Sequence, residues 1–271
     1  AYGLSDSGKS AIMLQMAADC QKSGIIPIFI ITEKKMDWRR AQSHGVDLSK
    51  SKCIIRSDLK HLEDVYDYMA QKIRDIKQGK LAKNVMFFWD SVASTPSVES
   101  YKIEADGTIT RKYGNQKNAN VIGYYNPLIM DMLNSTREEG SAFTAGALFL
   151  TQAYIKPAEF AGGMATIVPN GGEKIWFPLS LCLEIKERAK LQTTIKGKKV
   201  DYGKVCKVRV AKNHLSEIAT EGEFAITCEG IVPNEEKVLK QIKDDNKERW
   251  ADLLVSGDFV GSSDSSDEDE V

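Results

Sequence analysis

The sequence predicts an α/β domain in which a mainly parallel central sheet is flanked by helices and carries antiparallel strands at one side. Three features point there. The apolar runs Ile25–Ile31, Val85–Trp89 and Ala145–Leu150 do not alternate, as expected of strands covered on both faces. Segments of helical period lie between them. Later runs, Leu181–Ile185, Cys206–Val210 and Glu223–Thr227, alternate apolar with polar residues, the mark of ribbons with one covered face.

The chain opens on Gly3-Leu4-Ser5-Asp6-Ser7-Gly8-Lys9-Ser10, which spells G-x-x-x-x-G-K-[ST]. Glycines there let backbone N–H groups close around phosphate oxygens, while Lys9 meets phosphate and Ser10 meets Mg²⁺. Such a loop normally follows a buried strand, yet only Ala1 and Tyr2 precede it, so a further N-terminal portion is expected. From Lys9, the residues Ile12, Met16 and Cys20 recur at helical spacing, widened by Leu14, Ala17 and Ala18, and the helix should close at Ser23-Gly24. Its N-terminus faces the loop, so its dipole adds to the attraction for anions.

Strand Ile25–Ile31 comes next and ends at Thr32-Glu33. Leu59, Leu62, Val65, Met69, Ile73 and Ile76 then form an amphipathic helix that Ser57 or Asp58 would cap and Gly79 would end. Strand Val85–Trp89 ends at Asp90-Ser91. Ser94 to Asn120 is polar and reads as a long mobile loop of functional length. Asn126-Pro127 opens another helix, with proline at its first position and Gly140 at its end. Strand Ala145–Leu150 ends at Thr151-Gln152, and a second irregular stretch runs from Ala153 to Gly172. After the three ribbon strands, Glu235–Leu254 is a last helix with Val238, Ile242 and Trp250 among its apolar residues.

At 271 residues, 42% hydrophobic and 28% charged, the chain can bury one large core and a small appendage. No run reaches the ~18 apolar residues of a membrane span, so the cytosol is the expected compartment and no membrane partner is expected. The cysteines Cys20, Cys53, Cys182, Cys206 and Cys228 form no CxxC pair and lie in apolar runs, which suits buried thiols rather than disulfides or zinc. Residues 257–271 hold six acids and no base, leaving 37 basic against 32 acidic residues in the body, a charge of +5. That asymmetry suits a polyanionic partner and a tail competing for the same surface, and equally a merely solubilising tail.

In parallel sheets ligands gather at the C-terminal strand ends, so the polar residues there are the candidates. Asp90 has the form of a carboxylate that orients Mg²⁺ beside Ser10. Glu33 could orient and deprotonate an attacking water. Gln152, with both a donor and an acceptor, could touch a γ-phosphate and report its loss to the adjoining loop. The plainer readings are a capping Asp, a solvated Glu and a turn-side amide.

Taken together, Gly3–Ser10, Phe29–Glu33, Phe87-Phe88-Trp89-Asp90-Ser91-Val92-Ala93, Phe149-Leu150-Thr151-Gln152, Asn170-Gly171-Gly172 and Val208-Arg209-Val210-Ala211-Lys212-Asn213 resemble, in order, the motif series of the RecA strand-exchange recombinases, with the phage-encoded RecA and UvsX-type members nearest. The resemblance spans residues 1–232, leaving 233–256 as a short C-terminal helical segment and 257–271 as an acidic disordered tail. It implies a RecA-like P-loop ATPase core that uses ATP and Mg²⁺, forms filaments of its own copies on single-stranded DNA and pairs that strand with homologous duplex DNA. Single-stranded-DNA-binding and mediator proteins are implied partners. Gly3, Ser5, Asp6, Ser7, Gly8, Lys9 and Ser10 match the nucleotide loop, Asp90 the metal-orienting acid, Glu33 the catalytic glutamate and Gln152 the γ-phosphate sensor. Asp37, with Arg40 in the same Asp37-Trp38-Arg39-Arg40 segment, falls where the family places an acid near the adenine.

The two polar stretches match the DNA-binding loops, with Lys102, Arg111, Lys112 and Lys117 in the first, and Lys156, Gly162, Gly163, Gly171 and Gly172 in or beside the second. Glycines permit close approach to phosphates and the bases add screened attraction. Lys212 and His214 stand where the bacterial proteins carry two lysines that reach the neighbouring subunit's ATP; only the first matches. Because the family's N-terminal gripping elements are absent from the numbered residues, the numbered fragment taken by itself is expected to bind ATP yet polymerise poorly, whereas filament assembly is what the resemblance implies for the protein with those elements. A ring-forming helicase or motor on the same ATPase core, and a non-hydrolysing paralogue acting as a binding module, are the alternatives.

Overall fold

A computed structural model describes residues 1–33, 35–103, 106, 108–111, 115–157, 166–170, 175, 177–216 and 220–256. Its strands are β1 (Tyr2–Gly3), β2 (Ile26–Ile31), β3 (Ile54–Arg56), β4 (Val85–Asp90), β5 (Tyr101–Ile103), β6 (Ile109–Arg111), β7 (Ala145–Phe149), β8 (Thr151–Lys156), β9 (Thr166–Pro169), β10 (Leu181–Ile195), β11 (Lys198–Asn213), β12 (Glu221–Thr227) and β13 (Gly230–Pro233). The helices are α1 (Lys9–Lys22), α2 (Trp38–Ser43), α3 (Leu62–Lys77), α4 (Asn115–Glu138) and α5 (Glu236–Ser256).

Strands β3, β2, β4 and β7 lie side by side, all parallel. A second sheet runs in the order β13-β12-β11-β10-β1-β8-β9, with β1 parallel to both β8 and β10 and the outer pairs antiparallel. The segment 145–156 joins the two. Its β7 half pairs with β4, and beyond Leu150, whose N–H donates to the Trp89 carbonyl at 2.9 Å, its β8 half pairs with β1. The expected mixed α/β architecture is therefore present.

Alternate residues of the parallel strands enter different cores, which is why their sequences are apolar throughout. Ile28, Ile30, Phe87 and Trp89 pack under α3 and α4, against Val65, Met69, Ile73, Ile129 and Leu133. Phe29, Ile31 and Phe88 face α1, against Met13, Leu14, Ala17 and Ala18. Each large apolar side chain buried this way contributes about 1.5–3 kcal/mol. The covered face of α1 thus differs from the expected stripe: Ile12, Met16 and Cys20 are only half-buried, because the helix turns its Met13-Leu14-Ala17-Ala18 face to the sheet.

Other expectations need correction. Helix α3 starts after His61, whose backbone N–H donates to Asp64 Oδ2 at 3.1 Å; Asp58 is instead engaged with Arg56 at 2.7 Å. Pro127 does not open α4 but lies inside it, twelve residues after Asn115. The ring removes the bond to a single carbonyl, that of Gly123. Tertiary contacts span the gap: Tyr66 donates to Asn126 Oδ1 at 2.6 Å, and Ile122 and Ile129 are buried on either side. The polar stretch Ser94–Asn120 is not one loop, since it contains a 3₁₀ turn (Val98–Ser100), the β5–β6 hairpin and the first turn of α4. The second irregular stretch likewise begins as β8 and later pairs back as β9. Cys53, Cys182 and Cys206 are buried and Cys20 half-buried as free thiols, but Cys228 is exposed.

The ribbons are longer than their alternating cores. Strands β10 and β11 form a hairpin turning at Lys196-Gly197, both with positive φ, and α5 lays Trp250 on Ile195, Val200 and Tyr202 near that turn. Among the described residues, no helix is long and apolar enough to cross a membrane.

Candidate functional site

The phosphate-type loop leaves β1 and runs directly into α1, as its motif requires. Gly8 has φ 99°, a left-handed value that penalises a side chain, and a Cβ there would lie 2.7 Å from Ile226 Cδ1. A Cβ on Gly3 would lie 2.2 Å from the Ile185 carbonyl oxygen. Both glycines are therefore demanded by the strands packed beneath the loop. Lys9 Nζ turns back onto the loop and donates to the Gly3 carbonyl at 3.0 Å and the Leu4 carbonyl at 2.6 Å. Burial lowers the Lys9 ammonium's pKa, opposed by the nearby acids Asp90, Glu33 and Asp6.

Strand β4 brings Asp90 to the same place. Ser10 Oγ donates to Asp90 Oδ2 at 2.9 Å. The carboxyl is 9% exposed, and burial pushes its pKa up, with the Ser10 hydrogen bond opposing and Glu33 adding to the rise. A hydroxyl and a carboxylate at this distance are the hard oxygen donors Mg²⁺ prefers, and one or two protein carboxylates plus substrate phosphates are its usual complement. Among the described residues, no three His, Cys, Asp or Glu side chains converge as a self-sufficient metal cluster.

Just beyond β2, Glu33 receives two hydrogen bonds on Oε1, from Ser91 Oγ at 2.7 Å and Gln152 Nε2 at 3.0 Å. Three strand ends thus converge on one carboxylate. The segment after β4 is fixed by a buried hydroxyl network. Thr95 Oγ1 lies 2.8 Å from both the Ser91 carbonyl, to which it can donate, and Thr32 Oγ1, from which it can then accept, and Trp89 Nε1 donates to Thr95 Oγ1 at 3.3 Å. The Asp90–Ser91 peptide is cis.

Gly8, Lys9, Ser10, Glu33, Asp90, Ser91 and Gln152 line a cavity of about 300 Å³ that also takes in Ser5, Asp6, Ser7, Lys35, Met36, Asp37, Arg40 and Lys204. Asp37 caps α2, accepting from the Arg39 N–H at 2.9 Å, so Asp37 and Arg40 sit on the helix that walls the cavity. Ser91 and Lys204 are not among the residues the sequence nominates. Ser91 directly follows Asp90 and is marked only by that adjacency; Lys204 lies mid-ribbon and carries no local signal.

The other expected residues are placed apart. Lys102 and Arg111 lie on the paired strands β5 and β6, and Lys117, in the first turns of α4, pairs with Glu99. Lys156 ends β8, exposed. Lys112, Gly162, Gly163, Gly171 and Gly172 fall outside the described residues. Lys212 and His214 are not in the cavity: Lys212 Nζ donates to the Phe177 carbonyl at 2.9 Å, and His214 is exposed just past the end of β11.

Compared with known proteins, residues 1–232 match the model of the RecA N-terminal domain. Among individual relatives, the chain is 26% identical over 258 residues to Protein RecA of Wolinella succinogenes, covering 95% of this chain and 66% of the relative. It is 23% identical to Protein RecA of Campylobacter lari, over 83% of this chain and 58% of the relative. For Protein RecA of Mycoplasma genitalium the identity is 29%, over 80% and 56%. The chain therefore spans somewhat under two thirds of the length of these relatives.

Proposed function

This chain belongs to the RecA family, and from that premise we propose that it is an ATP-hydrolysing recombinase that assembles as a filament on single-stranded DNA and pairs it with homologous duplex DNA. The observation that carries the proposal is the convergence of Ser91 and Gln152 on the Glu33 carboxylate beside the Ser10–Asp90 pair. A phosphoryl-transfer site must hold a triphosphate, hold a cation and aim a water, and most of its catalysis is positioning and charge stabilisation.

In this reading Lys9 exchanges its loop carbonyls for nucleotide phosphates, and Asp37 and Arg40 flank the base end. Ser10 and Asp90 would hold Mg²⁺, which would supply charge neutralisation at the phosphates. Glu33 accepts the proton of the attacking water. Gln152 stands at the start of β8, the strand that leads to Lys156, so a change in its hydrogen bonding is felt in the segment assigned to DNA. Lys212 and His214 serve a neighbouring subunit's nucleotide. Residues 1–232 form the ATPase core, 233–256 a helical appendage and 257–271 an acidic tail that restrains duplex entry. The protein acts in the cytoplasm, with single-stranded-DNA-binding and mediator proteins as partners. The kinship with phage-encoded members belongs to this proposal and rests on motif wording alone.

The test is Glu33→Gln, which keeps the shape and both hydrogen-bonding neighbours but not the base. Phosphate release with saturating single-stranded DNA should fall by about 10²–10⁴-fold, with ATP affinity retained. Normal turnover by the variant would remove Glu33 from the mechanism. Negative-stain images of the wild-type chain with ATP and single-stranded DNA address the motor alternative, for which closed rings are the signature.

A further inference from the structure

Besides Lys9, the cavity is lined by Lys35 and Lys204, which the proposed function does not use, and Lys204 also makes a contact with the loop itself. Lys204 comes from β11, on the ribbon side of the sheet, yet its Nζ donates to the Asp6 carbonyl in the middle of the phosphate-type loop and the side chain lines the same cavity as Lys9. Its position is set by the backbone. Lys204 pairs with Ile226 of β12, and the preceding Gly203 approaches that strand so closely that a Cβ there would lie 2.4 Å from the Ile226 carbonyl oxygen. Ile226 in turn packs beneath Gly8. One pair of strands therefore forms the floor of the loop and directs an ammonium to its rim.

Among the described residues, no close, buried carboxylate satisfies that charge. Its ion pair is with Glu187, at 3.4 Å, on a carboxylate 37% exposed. Pairs of that kind are weak. The remaining contact is a neutral carbonyl, as are two of the contacts of Lys9. An anionic phosphate oxygen offers an ammonium a charge–charge attraction that a neutral carbonyl does not. A polyphosphate entering the loop would thus draw both ammoniums away from the carbonyls they hold.

We propose that Lys204 is a second phosphate-binding lysine of the nucleotide site, supplied by β11 of the same chain, which exchanges the Asp6 carbonyl for an oxygen of the nucleotide's polyphosphate. The inference rests on the nucleotide reading of the cavity and adds a residue that sets affinity for nucleoside di- and triphosphates over uncharged nucleosides. It also ties the loop to the β10–β11 hairpin on which α5 is seated, since Lys204 lies two residues from Tyr202 in the Trp250 contact.

The experiment compares wild type, Lys204→Met and Lys204→Arg by equilibrium binding of ATP with Mg²⁺ across a salt series, and by thermal shift with ATP or adenosine at millimolar concentration. Methionine keeps the apolar stem and removes the charge. Expected is a loss of about 10-fold in ATP affinity, equivalent to ~1.4 kcal/mol, with a shallower salt dependence, an unchanged response to adenosine, and substantial recovery in Lys204→Arg. The proposal is overturned if Lys204→Met binds ATP as tightly as wild type, or if arginine fails to recover what methionine loses. It is equally overturned if the adenosine response falls in parallel, which would make Lys204 a structural tie on Asp6. Should wild type itself bind no ATP, the nucleotide reading fails and this inference with it, a result distinct from loss confined to the variant.

Discussion

Gln152 Nε2 lies 3.0 Å from Glu33 Oε1, joining the first residues beyond β2 to the first residues of β8 across 119 positions of sequence. The amide and the Ser91 hydroxyl occupy the same carboxylate oxygen. Glu33 is therefore held rather than free, so under the proposed function a nucleotide engaging Gln152 would alter the hydrogen bonding of Glu33.

Replacing Gln152 by Ala removes one of these two bonds without touching the loop. ATP affinity should fall by no more than about tenfold, the equivalent of one part-buried hydrogen bond of ~0.5–1.5 kcal/mol. The ratio of DNA-stimulated to basal phosphate release should collapse toward one, because the carboxylate no longer communicates with β8. Parallel loss of basal and stimulated rates would show that Gln152 is an ordinary part of the catalytic machinery.

The floor of the loop makes a second prediction through Gly8 and Ile226. Gly8→Ala forces a side chain onto φ 99° and into Ile226 Cδ1 at 2.7 Å. Ile226→Val deletes that methyl, itself a change of about 0.5–1.5 kcal/mol. Urea unfolding of both single variants and the double should show Gly8→Ala costing ~1 kcal/mol less when combined with Ile226→Val, a coupling expected only between touching residues. Additive costs would mean that the strain at Gly8 is purely backbone.

A third prediction concerns acid stability. Glu184 is 2% exposed on β10, directly across from Tyr2 of β1. Burial opposes its ionisation, but Lys186 at 2.9 Å and Arg209 at 2.8 Å outweigh it and hold its pKa below the usual 4.5. The unfolded chain therefore binds this proton more readily than the folded one. The stabilisation is complete above about pH 4.5 and disappears as pH falls through the depressed native value. Glu184→Gln should lower stability at pH 7 by about 1–3 kcal/mol and flatten the stability profile below pH 4.5. An unchanged acid limb would contradict this.

Much of the site is legible in the sequence because its signals are local. The G-x-x-x-x-G-K-[ST] loop, the strand-terminal Glu33, Asp90 and Gln152, and the two-sided apolar strands each declare themselves within a few residues. What stays hidden depends on pairing at long range. Lys204 reaches Asp6 across 198 positions, and Ser91 reaches Glu33 across 58. The outer part of the β10–β11 hairpin shows no alternation between Lys186 and Lys190, because there most side chains meet solvent, with ion pairs such as Lys190–Asp201 rather than a core. Pro127 misleads because proline favours a first helical turn, and only the Tyr66–Asn126 bond and the buried neighbours reveal the helix continuing through it. The cap of α3 is obscured because Asp58, a good capping residue in sequence, is held by Arg56.

The most direct measurement is the rate of phosphate release from ATP by the wild-type chain, with and without single-stranded DNA, at low and moderate salt. The account predicts a DNA-stimulated rate that depends on Mg²⁺ and whose stimulation weakens steeply between about 50 and 200 mM salt, as phosphate contacts do. A rate indifferent to single-stranded DNA at every salt concentration, or no hydrolysis at all, would contradict it.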